Sequence, residues 1–287
     1  MKRQLGLFLI GVLIGLTVWG CGKGATPVVA APTPTGGASA PLGGSPAPTK
    51  PIAWDVPEGM KRKVVREQRG AFKKKLVALT FDDGPSPNIT PQVLQTLEKE
   101  GIRATFFMVG VQMHRNPDMV KTVLGKGHVL GAHTYTHSWH PYTQMAQAEF
   151  EKWEALGKEL AGKETRLFRP PFGRTKSAYA QVALKRGYPL ILWTNTGADT
   201  AKRATPATIY ANVVNNIRPG DIVLLHDNDD KDNTAKALPR IIATLKKQGY
   251  GFVTVPEILG AWESERKAHL PKATTKKKSK KSPVKQK

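Results

Sequence analysis

The chain has 287 residues, 40% of them hydrophobic, which suits one or two domains with a real core and excludes wholesale disorder. Its 44 Lys+Arg against 22 Asp+Glu give a formal net charge of +22, but the excess is local: ten Lys/Arg fall in 266–287 and eight in 61–75, while 76–262 holds 22 basic against 17 acidic residues. A basic globular domain specific for nucleic acid is therefore disfavoured, and the single cysteine excludes an internal disulfide framework and a cysteine-cluster zinc site.

Residues 1–21 read as an export signal. Lys2 and Arg3 form a positive start, and Leu5 to Trp19 is uncharged and apolar, short for a membrane span. Val18-Trp19-Gly20-Cys21 is similar to a bacterial lipobox, with Trp19 where a small residue is usual. The only cysteine falls at that one position, which puts lipidation of Cys21 ahead of plain cleavage or retention as an uncleaved anchor. All three place the domain outside the cytoplasm, at a membrane or secreted. Residues 22–58, rich in Pro, Gly and Ala, read as a tether. Residues 59–75 are basic and ambiguous, and 263–287 read as a Lys-rich disordered tail, either solvated or laid against an anionic envelope polymer or lipid.

Between these flanks strands and helices alternate. Leu76 to Phe81 reads as a strand. Thr90-Pro91 predicts a helix start with Thr90 as its cap, running to Glu100. Ala104 to Val109 is a strand, Asn116-Pro117 opens a helix, His128 to Ala132 is a strand, and Thr143 to Leu160 a helix. Leu167-Phe168-Arg169 ends a strand, Ser177 to Arg186 is helical, and Leu190 to Trp193 is a buried strand. Thr205-Pro206 opens a helix, Asp221 to His226 is a strand, Ala237 to Lys247 a helix, and Phe252 to Val255 the last strand. Such alternation predicts an α/β domain over 76–262 with a parallel sheet, open or closed as a barrel.

Asp82-Asp83, His133, Arg169, Asp199 and His226 all follow predicted strand ends, the face that carries the active site in a β/α barrel. Singly each is weak: Asp-Asp-Gly-Pro is commonly a turn, and two histidines four apart can share a helix face with no metal. Together they describe one chemistry. Asp83, His133 and His137 offer an oxygen and two nitrogens to Zn²⁺ or a similar ion, with positions left for water and substrate. Asp82 could take the proton of that water, Arg169 could hold Asp82, and His226 could protonate a leaving amine.

Thr80-Phe81-Asp82-Asp83-Gly84-Pro85 with Ala104-Thr105-Phe106-Phe107, then Gly131 to His137, Arg169-Pro170-Pro171-Phe172-Gly173 and Leu224-Leu225-His226 resemble, in order, motifs of the polysaccharide deacetylases, the NodB homology domain of carbohydrate esterase family 4. The resemblance implies a distorted (β/α) barrel and metal-dependent removal of N- or O-acetyl groups from an acetylated polysaccharide, peptidoglycan or a chitin-like polymer. Carried over, Asp82 is the base, His226 the acid, and Asp83, His133 and His137 hold one divalent ion, Zn²⁺ foremost, with Co²⁺, Ni²⁺ or Mn²⁺ the others. Arg169 holds Asp82, and Asp199 orients His226. The Phe172 N–H stabilises the oxyanion, and Phe172, Leu224 and Trp193 line the pocket. The fourth motif departs: the family usually shows Asp-x-x-Asp-Trp, whereas Thr196 stands at the first Asp and Thr200 at the Trp. Two alternatives remain open: a hydrolase of the same fold acting on another amide or an O-acetyl ester, and a non-catalytic wall-binding lipoprotein.

Overall fold

The computed structural model describes residues 54–66, 72–139 and 142–269. In chain order the elements are β1 (Val64–Val65), β2 (Leu76–Asp82), α1 (Ile89–Lys99), β3 (Thr105–Met108), α2 (Gly110–Arg115), α3 (Pro117–Gly125), β4 (Val129–Ala132) and α4 (Thr143–Ala161). There follow α5 (Ala178–Lys185), β5 (Leu190–Ile191), β6 (Asn195–Thr196), α6 (Pro206–Asn215), β7 (Ile222–His226), α7 (Asp232–Lys247), β8 (Gly251–Phe252) and α8 (Val255–Ala268). All strand pairs are parallel. The main sheet runs β4-β3-β2-β7-β6. Phe168 bridges Ala132 on one side and Leu190 on the other. The run 190–196 leaves Phe168 and reaches β7, through Ile191 N–H to Phe168 O and Thr194 N–H to Ile222 O, and so completes a distorted ring.

Alternation along the strands sorts the side chains into two layers. Val77, Leu79 and Phe81 of β2, Phe106 and Met108 of β3, and Val223 and Leu225 of β7 share one core with the surrounding helices. Ala78, Phe107, Val129 and Ile222 join a second core with Val255, Ile258, Leu259 and Trp262 of α8. On that second face β2 continues from Ala78 to Thr80 and Asp82, and β7 from Ile222 to Leu224 and His226. The barrel interior is thus apolar at one end and polar where the strands finish. In the β2–β7 register Asp82 stands opposite His226.

Several boundaries differ from the sequence expectation. α1 begins at Ile89 with Asn88, not Thr90, at the N-cap position; the entering turn is held by Ser86 Oγ, which accepts from the N–H groups of Asn88 and Ile89 at 3.1 and 3.0 Å, and by Thr90 Oγ1, which accepts from Ser86 N–H at 2.8 Å. The last strand is only Gly251–Phe252, because Thr254 and Glu257 form a capping box that turns the chain into α8. Residues 167–169 make isolated bridges and no ladder, as Pro170 and Pro171 follow with no N–H to donate. Packed structure also extends beyond 76–262. Val56, Val65 and Phe72, from the expected tether and basic segment, are buried in the second core, and α8 runs on to Ala268. Residues 1–53, including Cys21, and 270–287 lie outside the described residues.

Trp262 is 2% exposed within the second core. Trp262→Ala should cost about 3–5 kcal/mol of stability, the usual range for emptying such a site. Urea denaturation of the two proteins measures it.

Candidate active site

Asp82 ends β2, and its carboxylate is held from inside the barrel. Arg169 Nη1 donates to Asp82 Oδ1 at 2.6 Å and to Thr80 Oγ1 at 2.8 Å. Arg169 Nε and Nη2 donate to the carbonyls of Ile191 and Leu192 at 3.0 and 3.4 Å, and the guanidinium lies 4.1 Å over the Phe107 ring. The side chain is fully buried. Burial pulls its pKa below the ordinary value, and the Asp82 charge and hydrogen bond act against that pull. Asp82 Oδ2 remains on the cleft side, 3.8 Å from His133 Nε2.

Asp83 is turned by a positive φ of 73°, which sends neighbouring aspartates to different tasks. Its Oδ1 lies 3.3 Å from both His133 Nε2 and His137 Nε2. That buried oxygen has no well-formed hydrogen bond. The donor atoms of Asp83, His133 and His137 all lie within 4.8 Å of one another. Three converging donors around an oxygen that lacks a proper partner fit a divalent ion, and an N₂O set with open sides suits Zn²⁺ and its neighbours. Burial opposes ionisation of Asp83, but the close approach and charge of His133, with His137 and His226, outweigh it and hold the carboxyl well below the ordinary range. Burial first, then His133, lowers the pKa of His137, which keeps its ring neutral and able to ligate.

The two histidines follow β4 on a loop, not on a helix. Thr134 and His137 both have positive φ, 65° and 58°. His133 Nδ1 is 2.7 Å from Arg169 O, so Nδ1 donates there and Nε2 is left for the ion. The sequence reading missed what holds this loop. Glu149 of α4, 8% exposed, accepts from the N–H groups of Tyr135 and Thr136 at 2.9 and 2.8 Å and from Thr136 Oγ1 at 2.5 Å. Its signal was an acid on the buried stripe Ala146, Glu149, Phe150, Trp153, Gly157.

His226 faces Asp82 from β7. Its Nδ1 is 2.8 Å from Asp199 Oδ1, and its backbone N–H donates to Asp199 Oδ2 at 2.8 Å. Thr234 Oγ1 donates to the same Oδ2 at 2.7 Å. Burial works against a charged imidazole, but Asp199, with Asp82 and Asp83 behind it, pushes the His226 pKa up to about 9. Thr196, at the altered position of the fourth motif, accepts from Ala198 N–H at 3.0 Å. A hydroxyl there shapes the turn into Asp199 as a carboxylate would. Gly84 has its own reason: a Cβ would stand 2.4 Å from Asp227 Oδ1. Asp227 is buried against Thr90, whose hydroxyl donates to Oδ2 at 2.6 Å, and burial raises its pKa to about 7.

These groups open on one cleft of about 340 Å³, lined by Asp82, Asp83, His133, His137, Pro170, Phe172, Trp193, Thr200, Leu224 and His226. The structure therefore brings together every site residue expected within the domain: Arg169 and Asp199 stand directly behind Asp82 and His226, and Phe172, Leu224 and Trp193 are on the wall. A base, an acid and an ion site across one cleft can hydrolyse an amide or ester.

A family model described as polysaccharide deacetylase matches residues 69–191. A peptidoglycan-N-acetylglucosamine deacetylase of Bacillus cereus is 40% identical over 224 residues, 74% of this chain and 94% of that protein. Among solved structures, the Bc1960 peptidoglycan N-acetylglucosamine deacetylase superposes with a TM-score of 0.62 at 33% identity, over 66% of this chain and 90% of its own. BA3943 of Bacillus anthracis, described as a CE4 family pseudoenzyme, gives 0.62 at 28% identity, over 68% and 69%.

Two outcomes follow from the geometry. Arg169→Met strands Asp82 as an uncompensated buried charge and should cost about 3–5 kcal/mol in denaturant titrations. Asp199→Asn removes the charge that raises His226. The protonated imidazole should then be lost at lower pH, so the alkaline fall of kcat moves down from the wild-type position. A kcat–pH profile with an unmoved alkaline limb would contradict the pairing.

Proposed function

This chain belongs to the polysaccharide deacetylase family, carbohydrate esterase family 4, and on that premise we propose that it hydrolyses the acetamido group of N-acetylglucosamine residues in peptidoglycan. The observation that carries this reading is the convergence of Asp82, His226 and the Asp83/His133/His137 donors on one cleft. A divalent ion on those three donors, Zn²⁺ in our reading with Co²⁺, Ni²⁺ or Mn²⁺ as alternatives, supplies a polarised acetyl carbonyl and a water of lowered pKa. Asp82, with Oδ1 occupied by Arg169, takes the water's proton on Oδ2. The Phe172 N–H donates to the developing oxyanion, and such preorganised donors are commonly the largest catalytic contribution. His226, charged at neutral pH and tied through Nδ1 to Asp199, delivers its Nε2 proton to the departing amine. Leu224 and Trp193 wall the acetyl group from solvent.

The N-acetyl specificity and the polymer are inferred from the relatives named for peptidoglycan N-acetylglucosamine. A non-catalytic reading has one relative behind it, the B. anthracis pseudoenzyme. Against it stands the convergence of Asp82, His226 and the Asp83/His133/His137 cluster on one cleft. We place the enzyme outside the cytoplasm, at the membrane through Cys21 or secreted, on the strength of 1–21 alone. The Lys-rich residues after 270 suit contact with an anionic envelope polymer.

Acetate release from peptidoglycan and from chitin oligomers, before and after chelation, tests the reading, and a verified metal-free sample with full activity would overturn it. The two aspartates should separate. Asp82→Asn should keep metal affinity near wild type and lower turnover by about 10²–10⁴-fold, whereas Asp83→Asn should weaken metal binding itself. Calorimetric metal titration paired with saturating-metal kinetics distinguishes them.

A further inference from the structure

The cleft does not end at the residues that handle the acetyl group. Phe172, 50% exposed and left-handed at φ 58°, stacks edgewise on the His137 ring at 4.6 Å. Trp139, 49% exposed, continues outward from it with ring centroids 4.4 Å apart. The Arg174 guanidinium lies 4.7 Å over Trp139, and its Nη1 donates to the Trp139 carbonyl. Two large aromatics in mutual contact, each about half exposed, thus stand in line with the reaction cleft. Through the Phe172–His137 contact they are continuous with the Asp83/His133/His137 cluster.

We propose that Trp139 and Phe172 form a shelf for the sugar ring next to the one being deacetylated, and that Arg174 reads a carboxylate on that neighbouring sugar. The proposal rests on the deacetylase reading above and names its substrate class more closely. Pyranose rings have an apolar face of C–H groups that packs on an aromatic surface, while their hydroxyls stay hydrated. Arg174 adds charge selectivity. It has no carboxylate partner among the described residues, and the Trp139 carbonyl takes only one of its five N–H groups. A guanidinium held in place by one hydrogen bond and an aromatic face is oriented to pair with a carboxylate. A neutral homopolymer of N-acetylglucosamine offers the shelf a ring but Arg174 nothing. In an alternating amino-sugar polymer every second sugar carries a lactyl ether, whose carboxylate is free or extended by a peptide with carboxylates of its own.

The experiment compares Trp139→Ala and Arg174→Gln with the wild-type, metal-loaded protein. Its substrates are a neutral chitin tetramer, an N-acetylglucosamine/N-acetylmuramic acid tetramer with free lactyl carboxylates, the same tetramer bearing stem peptides, and 4-nitrophenyl acetate. Binding of each tetramer is read by calorimetry alongside kcat/KM. Trp139→Ala should lower kcat/KM for every tetramer, relative to the small ester, by about tenfold, the scale of one lost aromatic contact. Arg174→Gln should leave the neutral tetramer less affected and lower the carboxylate-bearing ones by about tenfold in both binding and kcat/KM. Loss confined to the free lactyl tetramer assigns the carboxylate to the sugar; loss confined to the peptide-bearing one assigns it to the peptide, and either supports a carboxylate-reading Arg174. Equal effects of Arg174→Gln on neutral and charged tetramers would overturn that role, and an unchanged tetramer-to-ester ratio in Trp139→Ala would overturn the shelf. A wild-type protein that binds the tetramers with the expected dependence but releases no acetate would overturn the deacetylase reading and leave the shelf standing.

Discussion

The ion pair between Arg169 and Asp82 is the constraint from which the rest of the site is laid out. Both charges are withdrawn from water inside the ring of strands. Such a pair is tolerated only when its remaining donors are satisfied. Arg169 meets that condition with Thr80 on β2, two carbonyls of the 190–196 run and the face of Phe107. One side chain therefore ties β2, β3 and the closing run to one another. Its own carbonyl then accepts from His133 and sets that ring's free nitrogen toward Asp83. Asp82, His133 and the closure of the barrel are coupled through one residue.

Around that pair the backbone is held in conformations that ordinary residues avoid. Asp83, Thr134, His137, Phe172 and Ala198 all have φ between 51° and 73°. A left-handed non-glycine residue costs on the order of 1 kcal/mol or more and persists only where its surroundings over-determine it. Here they do. Glu149 clasps the loop that contains Thr134 and His137, and Thr196 shapes the turn at Ala198. At the strand end Val109 N–H donates to Gly84 O just beyond Asp83. The strain turns donors inward that a regular loop would point away.

Two positions that depart from the family pattern have different consequences. Thr196 keeps a turn-forming oxygen, so Asp199 still reaches His226 with both of its oxygens. Thr200 keeps nothing of an aromatic wall. The half-exposed aromatics at the cleft are Phe172 and, packed on it, Trp139, so the departure at Thr200 alters the lining and leaves the Asp199–His226 pair in place.

The sequence by itself determined the alternation of strands and helices and the placing of Asp82, Asp83, His133, Arg169, Asp199 and His226 just after hydrophobic strand-like runs. These are local properties: hydrophobic runs of strand length, proline and glycine punctuation, and motifs only a few residues long. Only the tertiary structure decided what depends on residues far apart in the chain. Glu149 became the clasp of the histidine loop, Thr234 a second donor to Asp199, and Asp227 the reason for Gly84. Val56, Val65, Phe72 and Trp262 joined the second core although the composition around the first three reads as tether and basic segment. Local hydrogen bonds decided the ends of elements: the reciprocal Ser86–Thr90 turn set the start of α1 at Ile89, and the Thr254–Glu257 box cut the last strand short. Periodicity records which face of an element is buried, but not which distant side chain meets it there, and a buried carboxylate is specified only by the groups the fold brings to satisfy it.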